Sequence, residues 1–526
     1  MMKKYLTMAL GGLLVVAMAL PSFAQEIKVT GQVRVRLRYW VDLDLDSDVK
    51  QGGGSLSDRR YFDNRTRLGV DAKLAEGVRA RIELEKYFDF GNVGPNGARS
   101  GATAGAGELA TIGGTVQEPY FRQAWLDFQI PGLPEGWRFQ GGRSFFSVGH
   151  QFLWGNSLTG EDGLTLYGPL GPGTFKGRFA MTQNQSEAQA GRERMFDNEL
   201  NHWAVDYKFD VAPKQTVELY VLGQHDRAVD NFTDLAHING EVRRGDDYYL
   251  GAAYSGFAGP VALKLEGAFQ TSGGTRRDVL FDPDPTTGGP CTTSDVDGFG
   301  VDVTATPTCT IQNDIDRRAG FIYARADYKV VPEFTTGINI SWASGDDTPN
   351  DDRYSNFVGP LAGFVSSPTR VFTDSGFFAG NRSARRAGNS VSNRVWNFWG
   401  RGSLDIDSAR TLDNNPAAAG GPNAFSPGLF ELKWQNKYVA APNLSLFADI
   451  AVLWADKKNA SGSLEGDESR LMGGEIDLKA AYKPYKNLVI NGYFGYWITG
   501  GFFQTVQPGA RRDNAWVFRT EIVATF

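Results

Sequence analysis

The feature that most restricts this chain is a two-residue alternation of apolar and charged positions. In "QVRVRLRYWVDLDLDSD", residues 32–48, every odd position from Val33 to Leu45 is apolar or Tyr39. The even positions carry Arg34, Arg36 and Arg38, then Asp42, Asp44, Asp46 and Asp48, with Trp40 the exception. Side chains on a strand point alternately to its two faces, so this segment has one greasy face and one charged face. The pattern returns at once. "NRTRLGVDAKL" sets Leu68, Val70, Ala72 and Leu74 opposite Arg65, Arg67, Asp71 and Lys73. After the turn "AEG", "VRARIELEKYF" sets Val78, Ala80, Ile82 and Leu84 opposite Arg79, Arg81, Glu83 and Glu85. Further stretches of about ten residues follow, from "YFRQAWLDFQI" to "AWVFRTEIVATF". Together they predict eighteen strands, "GLTLYG" being the weakest.

The connections alternate too. Short turns ("AEG", "IPGLPEG", "GPLGPG", "VAPKQ", "FAGP", "VPEF", "AAPN", "KPYKN") take turns with long polar loops at 89–118, 184–199, 273–317 and 346–427. Short turns at one end and long loops at the other are the pattern of an antiparallel transmembrane β-barrel of 16–18 strands. An even strand number returns both termini to the short-turn, periplasmic side. A soluble sandwich would hide its apolar faces against each other and leave edges to manage. Here one rule holds over almost the whole chain, and aromatics gather near strand ends, as at Trp203, Trp342, Trp454 and Tyr493 to Trp497. Such girdles belong at membrane interfaces. A closed barrel also pairs every backbone group, as lipid demands. The apolar face then meets lipid, and the charged face looks into a water-filled lumen.

The ends agree with export to a Gram-negative outer membrane. Residues 1–24 combine Lys3 and Lys4, an apolar run from Leu6 to Leu20 and Ser22-Phe23-Ala24, which is the layout of a cleavable signal peptide. Its removal leaves residues 25–526 as one barrel domain, and shifts the net charge from −6 to −8 because two lysines and no acid are lost. No later run reaches 18 consecutive apolar residues, so no transmembrane helix is expected. The last strand places Phe518, Ile522, Ala524 and Phe526 on one face, with Arg519 and Glu521 on the other. It resembles the C-terminal strand of Gram-negative outer-membrane proteins. That resemblance implies recognition by the barrel assembly machinery. Cys291 and Cys309 fall in one polar loop, and in an exported chain a single loop-closing disulfide is expected.

A barrel this wide leaves an aqueous channel unless something plugs it. The candidate plug is the segment 345–427, either folded inward or lying as an outer flap. Its "NRVWNFWGRGSLDID" is a candidate additional strand. The first three strands supply Arg34, Arg36, Arg38, Arg65, Arg67, Arg79 and Arg81 to the lumen face. Arg143, Arg178 and, through barrel closure, Arg519 join them. An arginine-lined wall favours anions. The competing expectation is neutralisation by lumen acids, among them Glu83, Glu85, Asp127, Asp206, Glu218, Glu266, Asp449, Glu475 and Asp477. The ladder Asp42–Asp48 extends into the first outer loop. It reads as a solvated acidic rim, with divalent-cation bridging to lipopolysaccharide as the alternative.

Residues 121–155, "FRQAWLDFQIPGLPEGWRFQGGRSFFSVGHQFLWG", resemble Gram-negative porins. Arg122-Gln123-Ala124-Trp125 is similar to their "RQAW" strand, and Gly142-Arg143 to the Gly-Arg strand whose arginine enters the channel. Gly141-Gly142 would permit a bulge that turns Arg143 inward. With eighteen strands and an arginine-rich wall, the chain is most similar to the alginate-export type of monomeric porin. The resemblance implies passive passage of small anionic solutes, with export of an anionic polysaccharide or a loop-sealed surface barrel as alternatives. It leaves monomer and homotrimer open. Catalysis is not expected: the four histidines (His150, His202, His225, His237) have no serine partner in an evident triad. No phosphate-loop, dinucleotide or zinc spacing appears, so neither a cofactor, a metal nor nucleic acid is expected.

Overall fold

The computed structural model describes residues 26–41, 59–90, 119–154, 160–184, 199–226, 242–281, 307–345, 353–354, 429–457, 469–501 and 514–526. The expectations for the leader 1–24, for Asp42–Asp48, for Cys291 and hence its bond to Cys309, and for the 346–427 loop apart from Arg353–Tyr354 lie outside them. So does the candidate strand "NRVWNFWGRGSLDID".

All eighteen predicted strands form. They are β1 (Glu26–Val41), β2 (Arg59–Ala75), β3 (Val78–Phe90), β4 (Tyr120–Gln129), β5 (Arg138–Ser144), β6 (Glu161–Leu170), β7 (Gly173–Asn184), β8 (Glu199–Ala212) and β9 (Gln215–Asp226). Then come β10 (Val242–Ala258), β11 (Val261–Phe281), β12 (Pro307–Val331) and β13 (Phe334–Ala343). The two-residue β14 (Arg353–Tyr354) is followed by β15 (Leu429–Ala441), β16 (Leu444–Trp454), β17 (Leu471–Tyr485), β18 (Leu488–Thr499) and β19 (Ala515–Thr525). Each wall strand pairs antiparallel with the next, and β13 pairs directly with β15. The short β14 stands outside this meander. It lies parallel to β12 at Asp316 and Arg317, beyond the reach of β13. The weak "GLTLYG" is the centre of a ten-residue strand.

β1 closes the sheet against β19, with Val35 opposite Ile522 and Arg38 opposite Arg519. Past the ladder, Gly31 and Phe526 exchange backbone bonds, N to O 2.8 Å one way and 3.1 Å the other. The Phe526 ring lies across Gly31, where a Cβ would fall 2.1 Å from the ring. The glycine is thus the groove that seats the aromatic. All eight predicted tight turns connect strand pairs at one end of this closed, 18-strand barrel.

Exposure follows the pattern written in the sequence. Outward positions include Val29, Val35, Leu68, Ile82, Leu126, Leu219, Leu250, Ile338, Ile450 and Ile522, all exposed. Outward aromatics sit near both ends: Tyr328, Tyr438 and Tyr485 by the tight turns, and Phe62, Phe121 and Tyr248 toward the loops. Inward positions are polar and buried by neighbouring side chains, as with Arg36, Glu85, Asp127, Arg178 and Glu475. No described helix is long and apolar enough to cross a membrane. An apolar belt around a closed, polar-lined barrel spans the outer membrane through its strands.

Candidate functional site

The lumen is the candidate site, and its wall divides into regions of different chemistry. On β2, β3 and β4 the register sets Arg67 opposite Glu85, Asp71 opposite Arg81, and Arg79 opposite Asp127. The side chains use this placement. Arg81 grips Asp71 at 2.6 Å and also pairs with Glu83; Arg67 pairs with Glu85. Glu83 receives Arg122 as well, and accepts from Gln123 at 3.0 Å. Arg67, Arg81 and Arg122 are thereby matched by Asp71, Glu83 and Glu85, and this stretch is locally neutral. Nearer the tight turns, the fully buried Asp127 receives Arg79 at 3.1 Å, Arg138, and the Tyr167 hydroxyl. Paired charges of this kind hold one another in place, and removing one partner leaves the other desolvated and uncompensated.

A β-bulge makes the network possible. Between Glu83 and Leu84 the pairing skips Arg122, so Gln123 faces Glu83 and Phe121 faces Leu84. Two successive residues, Arg122 and Gln123, therefore both turn into the barrel and are buried there. The Arg122 guanidinium also lies 4.3 Å from the centre of the Phe145 ring.

The bulge is not where the glycine pair suggested. β5 keeps an unbroken register against both β4 and β6. Gly142 does adopt φ +114, but the reason is close approach: a Cβ there would lie 2.3 Å from the Ala124 carbonyl oxygen. Arg143 consequently keeps the outward parity that it shares with Phe139, Leu164 and Leu166. It pairs with the half-exposed Asp162, Nε to Oδ1 3.0 Å, near the loop end of the strand. The expectation that Arg143 lines the channel is corrected on this ground. Arg178, in contrast, does face inward. It donates to Ser144 Oγ at 2.8 Å, Thr165 Oγ1 at 2.9 Å and the Glu161 carbonyl at 2.8 Å.

At the closing seam, β19, β1 and β2 bring Arg34, Arg36, Arg65 and Arg519 to the inner face. Arg38 shares their parity through its register with Arg519 and Tyr61. Arg34 stands 3.8 Å from Glu521, Arg65 donates to Gln32 at 2.7 Å, and the Arg519 guanidinium lies 3.8 Å over the Tyr493 ring. Two of these described contacts neutralise no charge. The seam gathers four arginines on one stretch of the inner face, with Glu521 and Asp63 opposite Arg36 in the register.

Farther round the barrel, on β15, β16 and β17, the inward parity holds Glu431, Asp449, Glu475 and Asp477, with Lys433 as the cation among them. Asp449 sits directly opposite Asp477.

Between these walls the connection from β5 to β6 enters the lumen. Phe146, Val148, Phe152, Leu153 and Trp154 are all buried inside the barrel. Val148 and Trp154 close a turn, N to O 3.1 Å, and Gln151 N returns to the Val148 carbonyl at 3.0 Å. Phe152 packs between Tyr323 (ring centres 4.2 Å) and Phe321 (5.6 Å) of β12. Trp154 donates to Glu161 at 3.1 Å and lies 5.5 Å from the His202 ring. Lys176 donates to the Ser147 carbonyl at 3.0 Å and sits over the Phe146 ring. The His150 ring nitrogen Nε2 meets two carbonyl oxygens, of Tyr254 and Leu265, each at 3.1 Å. Two acceptors require a proton on Nε2. Burial holds the His150 pKa below the ordinary imidazole value.

This inward loop is the functional element that the reading of the sequence missed. A signal for it existed. The strands beneath it carry apolar or small residues among their inward positions: Tyr249 and Ala253 on β10, Ala268 on β11, and Ala319, Phe321 and Tyr323 on β12. A strand apolar on its lumen face must be covered from within, because water would otherwise wet it.

No protein-family model matches the chain, and no curated protein matches its sequence. Solved structures do resemble it. OccAB1 of Acinetobacter baumannii shares 9% identity at a TM-score of 0.50, covering 96% of this chain and 98% of that one. OccK8 (OprE) of Pseudomonas aeruginosa shares 12% identity at 0.49, covering 96% and 99%. OccK9 (OpdG) of the same organism shares 12% at 0.48, with the same coverage. The likeness to OccAB1 is one of fold over nearly the full length of both chains.

Proposed function

We propose that this chain is a porin: a passive outer-membrane channel for small hydrophilic solutes, with a preference for anions. The observation that carries the reading is the seam of β19, β1 and β2, which clusters Arg34, Arg36, Arg65 and Arg519 on the inner face of a closed barrel, with Glu521 and Asp63 opposite Arg36. The overall charge of −6 does not decide the matter. Charges act over roughly 8 Å at physiological ionic strength, so the groups lining the narrow part outweigh those on distant loops. Along β8, β9 and β11 the acids have partners on the wall or the loop: Lys176 at Asp206, 3.2 Å, and backbone amides of the inward loop at Glu218 and Glu266. Solutes passing the seam would meet a cluster of four arginines on its wall, and such a cluster favours anions.

Export of an anionic polysaccharide is the weaker reading, since no feature of the lumen favours a polymer over small solutes and the compared structures lend the alginate-export type no support. The outward row of Phe518, Ile522 and Phe526, together with Ala524 of the same parity, supports recognition of the last strand by the barrel assembly machinery. Lipopolysaccharide is the lipid that its loop-side rim would meet.

The test is single-channel recording in a planar bilayer under a salt gradient. Stable conducting steps with a reversal potential of anionic sign are expected. A folded barrel that never conducts would leave the sealed-barrel alternative standing, and a cationic sign would mean that the acids of β15–β17 govern passage.

A further inference from the structure

The tip of the inward loop is built from two left-handed residues, Gly149 (φ 54) and Gln151 (φ 71), flanking His150. Such a turn aims consecutive backbone N–H groups at one side, the arrangement that makes a concave seat for anions. Here the seat is occupied by the protein's own wall. Gly149 N donates to Glu218 Oε1 at 2.7 Å, and His150 N donates to Glu266 Oε2 at 2.6 Å. The two glutamates stand on β9 and β11, and both are level with Ala253 of the intervening β10. Ala253 is small and buried, so the tip can descend between the two carboxylates. Tyr220 donates its hydroxyl to the other oxygen of Glu266 at 2.8 Å and fixes that carboxylate's orientation. The fit leaves no slack: a Cβ on Gly149 would fall 2.4 Å from Glu266 Oε1.

We infer that Glu218 and Glu266 are positioning residues for the constriction, a two-carboxylate clasp that holds the loop tip on the β9–β11 wall and so sets the width of the channel. The inference rests on the channel reading above for its effect on conduction, and on these contacts alone for the clasp itself. Two charge-assisted bonds to adjacent amides fix both the position and the direction of the tip, whereas the aromatic packing of Phe152 on Phe321 and Tyr323 supplies adhesion with less angular restraint. On the channel reading, the clasp also takes two wall acids out of the solute's path, because they face the loop.

The test combines amide hydrogen exchange with single-channel recording on the full-length folded barrel, comparing the native chain with Glu218→Ala/Glu266→Ala and with Glu218→Gln/Glu266→Gln. In the alanine pair, exchange at the Gly149 and His150 amides should accelerate on the order of tenfold or more while strand amides stay protected. Conductance should rise and become noisier. The glutamine pair keeps an acceptor oxygen without the charge and should fall between the two. If the alanine pair fails to fold, the glutamine pair and Ala253→Leu, which fills the space beneath the tip, read the same amides. Native-like protection at Gly149 and His150 in any folded double variant would overturn the clasp. Loss of protection in a barrel that conducts in neither form would uphold the clasp and overturn the channel reading.

Discussion

The β1–β4 wall and the β9–β12 wall obey the same alternation, yet their inner faces do opposite things. On β1–β4 the inward residues are arginines and acids that meet across strands, as Arg81 meets Asp71 and Arg122 meets Glu83. On β9–β12 they include Tyr220, Leu222, Tyr249, Phe321 and Tyr323, and a loop lies on them. The difference teaches that a barrel's lumen face is not one environment. Where nothing covers the wall, each inward group needs water or a charged partner. Where a loop covers it, apolar area is buried and contributes as in any core, at about 25 cal/mol per Å². On the proposed channel reading, the arginine wall is the surface that solute would meet, and the aromatic wall the foundation of the loop that would narrow its path.

Removing the cover is the most forceful way to break this contrast. Replacing residues 146–154 with a short Gly-Ser bridge should raise single-channel conductance several-fold and weaken ion preference, since solute would then pass farther from the arginines. A milder cut, Trp154→Ala, should cost about 3–5 kcal/mol in denaturant titration, as expected for truncating a fully buried aromatic. Conductance unchanged by the bridge would mean that the loop does not form the narrow point.

The next effect belongs to the paired network. Arg122→Met removes the more deeply buried of the two arginines on Glu83 and should destabilise the barrel by about 1.5–3 kcal/mol, seen as a lower urea midpoint. Arg143→Met, which breaks the exposed pair with Asp162 on the outer parity, should cost less. Equal losses at the two positions would erase the distinction between the buried network and an exposed pair.

Selectivity offers a finer probe. Arg36→Gln, Arg65→Gln and Arg519→Gln together should move the reversal potential toward the cationic sign. Arg67→Gln and Arg81→Gln should move it as well, because each releases an acid (Glu85, or Asp71 with Glu83) that the arginine now cancels. A seam triple variant with native selectivity would place the filter elsewhere. The smallest expected effect is at Arg143. Its outward parity predicts that Arg143→Gln leaves the reversal potential where it was, and a clear shift would show that this side chain reaches the lumen after all.

Much of this protein was legible in its sequence because membrane barrels obey a local rule. Lipid on one side and water on the other force a period of two along every strand, and the eight tight turns mark where each hairpin reverses. Strand number, antiparallel order, closure through the last strand and the inward parity of Arg34, Arg65, Arg178, Asp449 and Glu475 all follow from that rule. Three things did not. The bulge at Arg122 depends on the pairing of two strands, and Gly141-Gly142 misled because a glycine pair serves close approach as readily as it serves a bulge. Which arginines are cancelled depends on cross-strand register, a relation between segments far apart in the chain, as for Arg79 and Asp127, 48 residues apart. The path of the loop after β5 depends on Glu218, Glu266, Phe321 and Tyr323, which lie 69 or more residues downstream of the tip they hold. Alternation is decided residue by residue against the solvent on each face, and so the sequence alone determines it. Charge balance and constriction are decided by what closure of the barrel brings together, and only the tertiary structure holds that information.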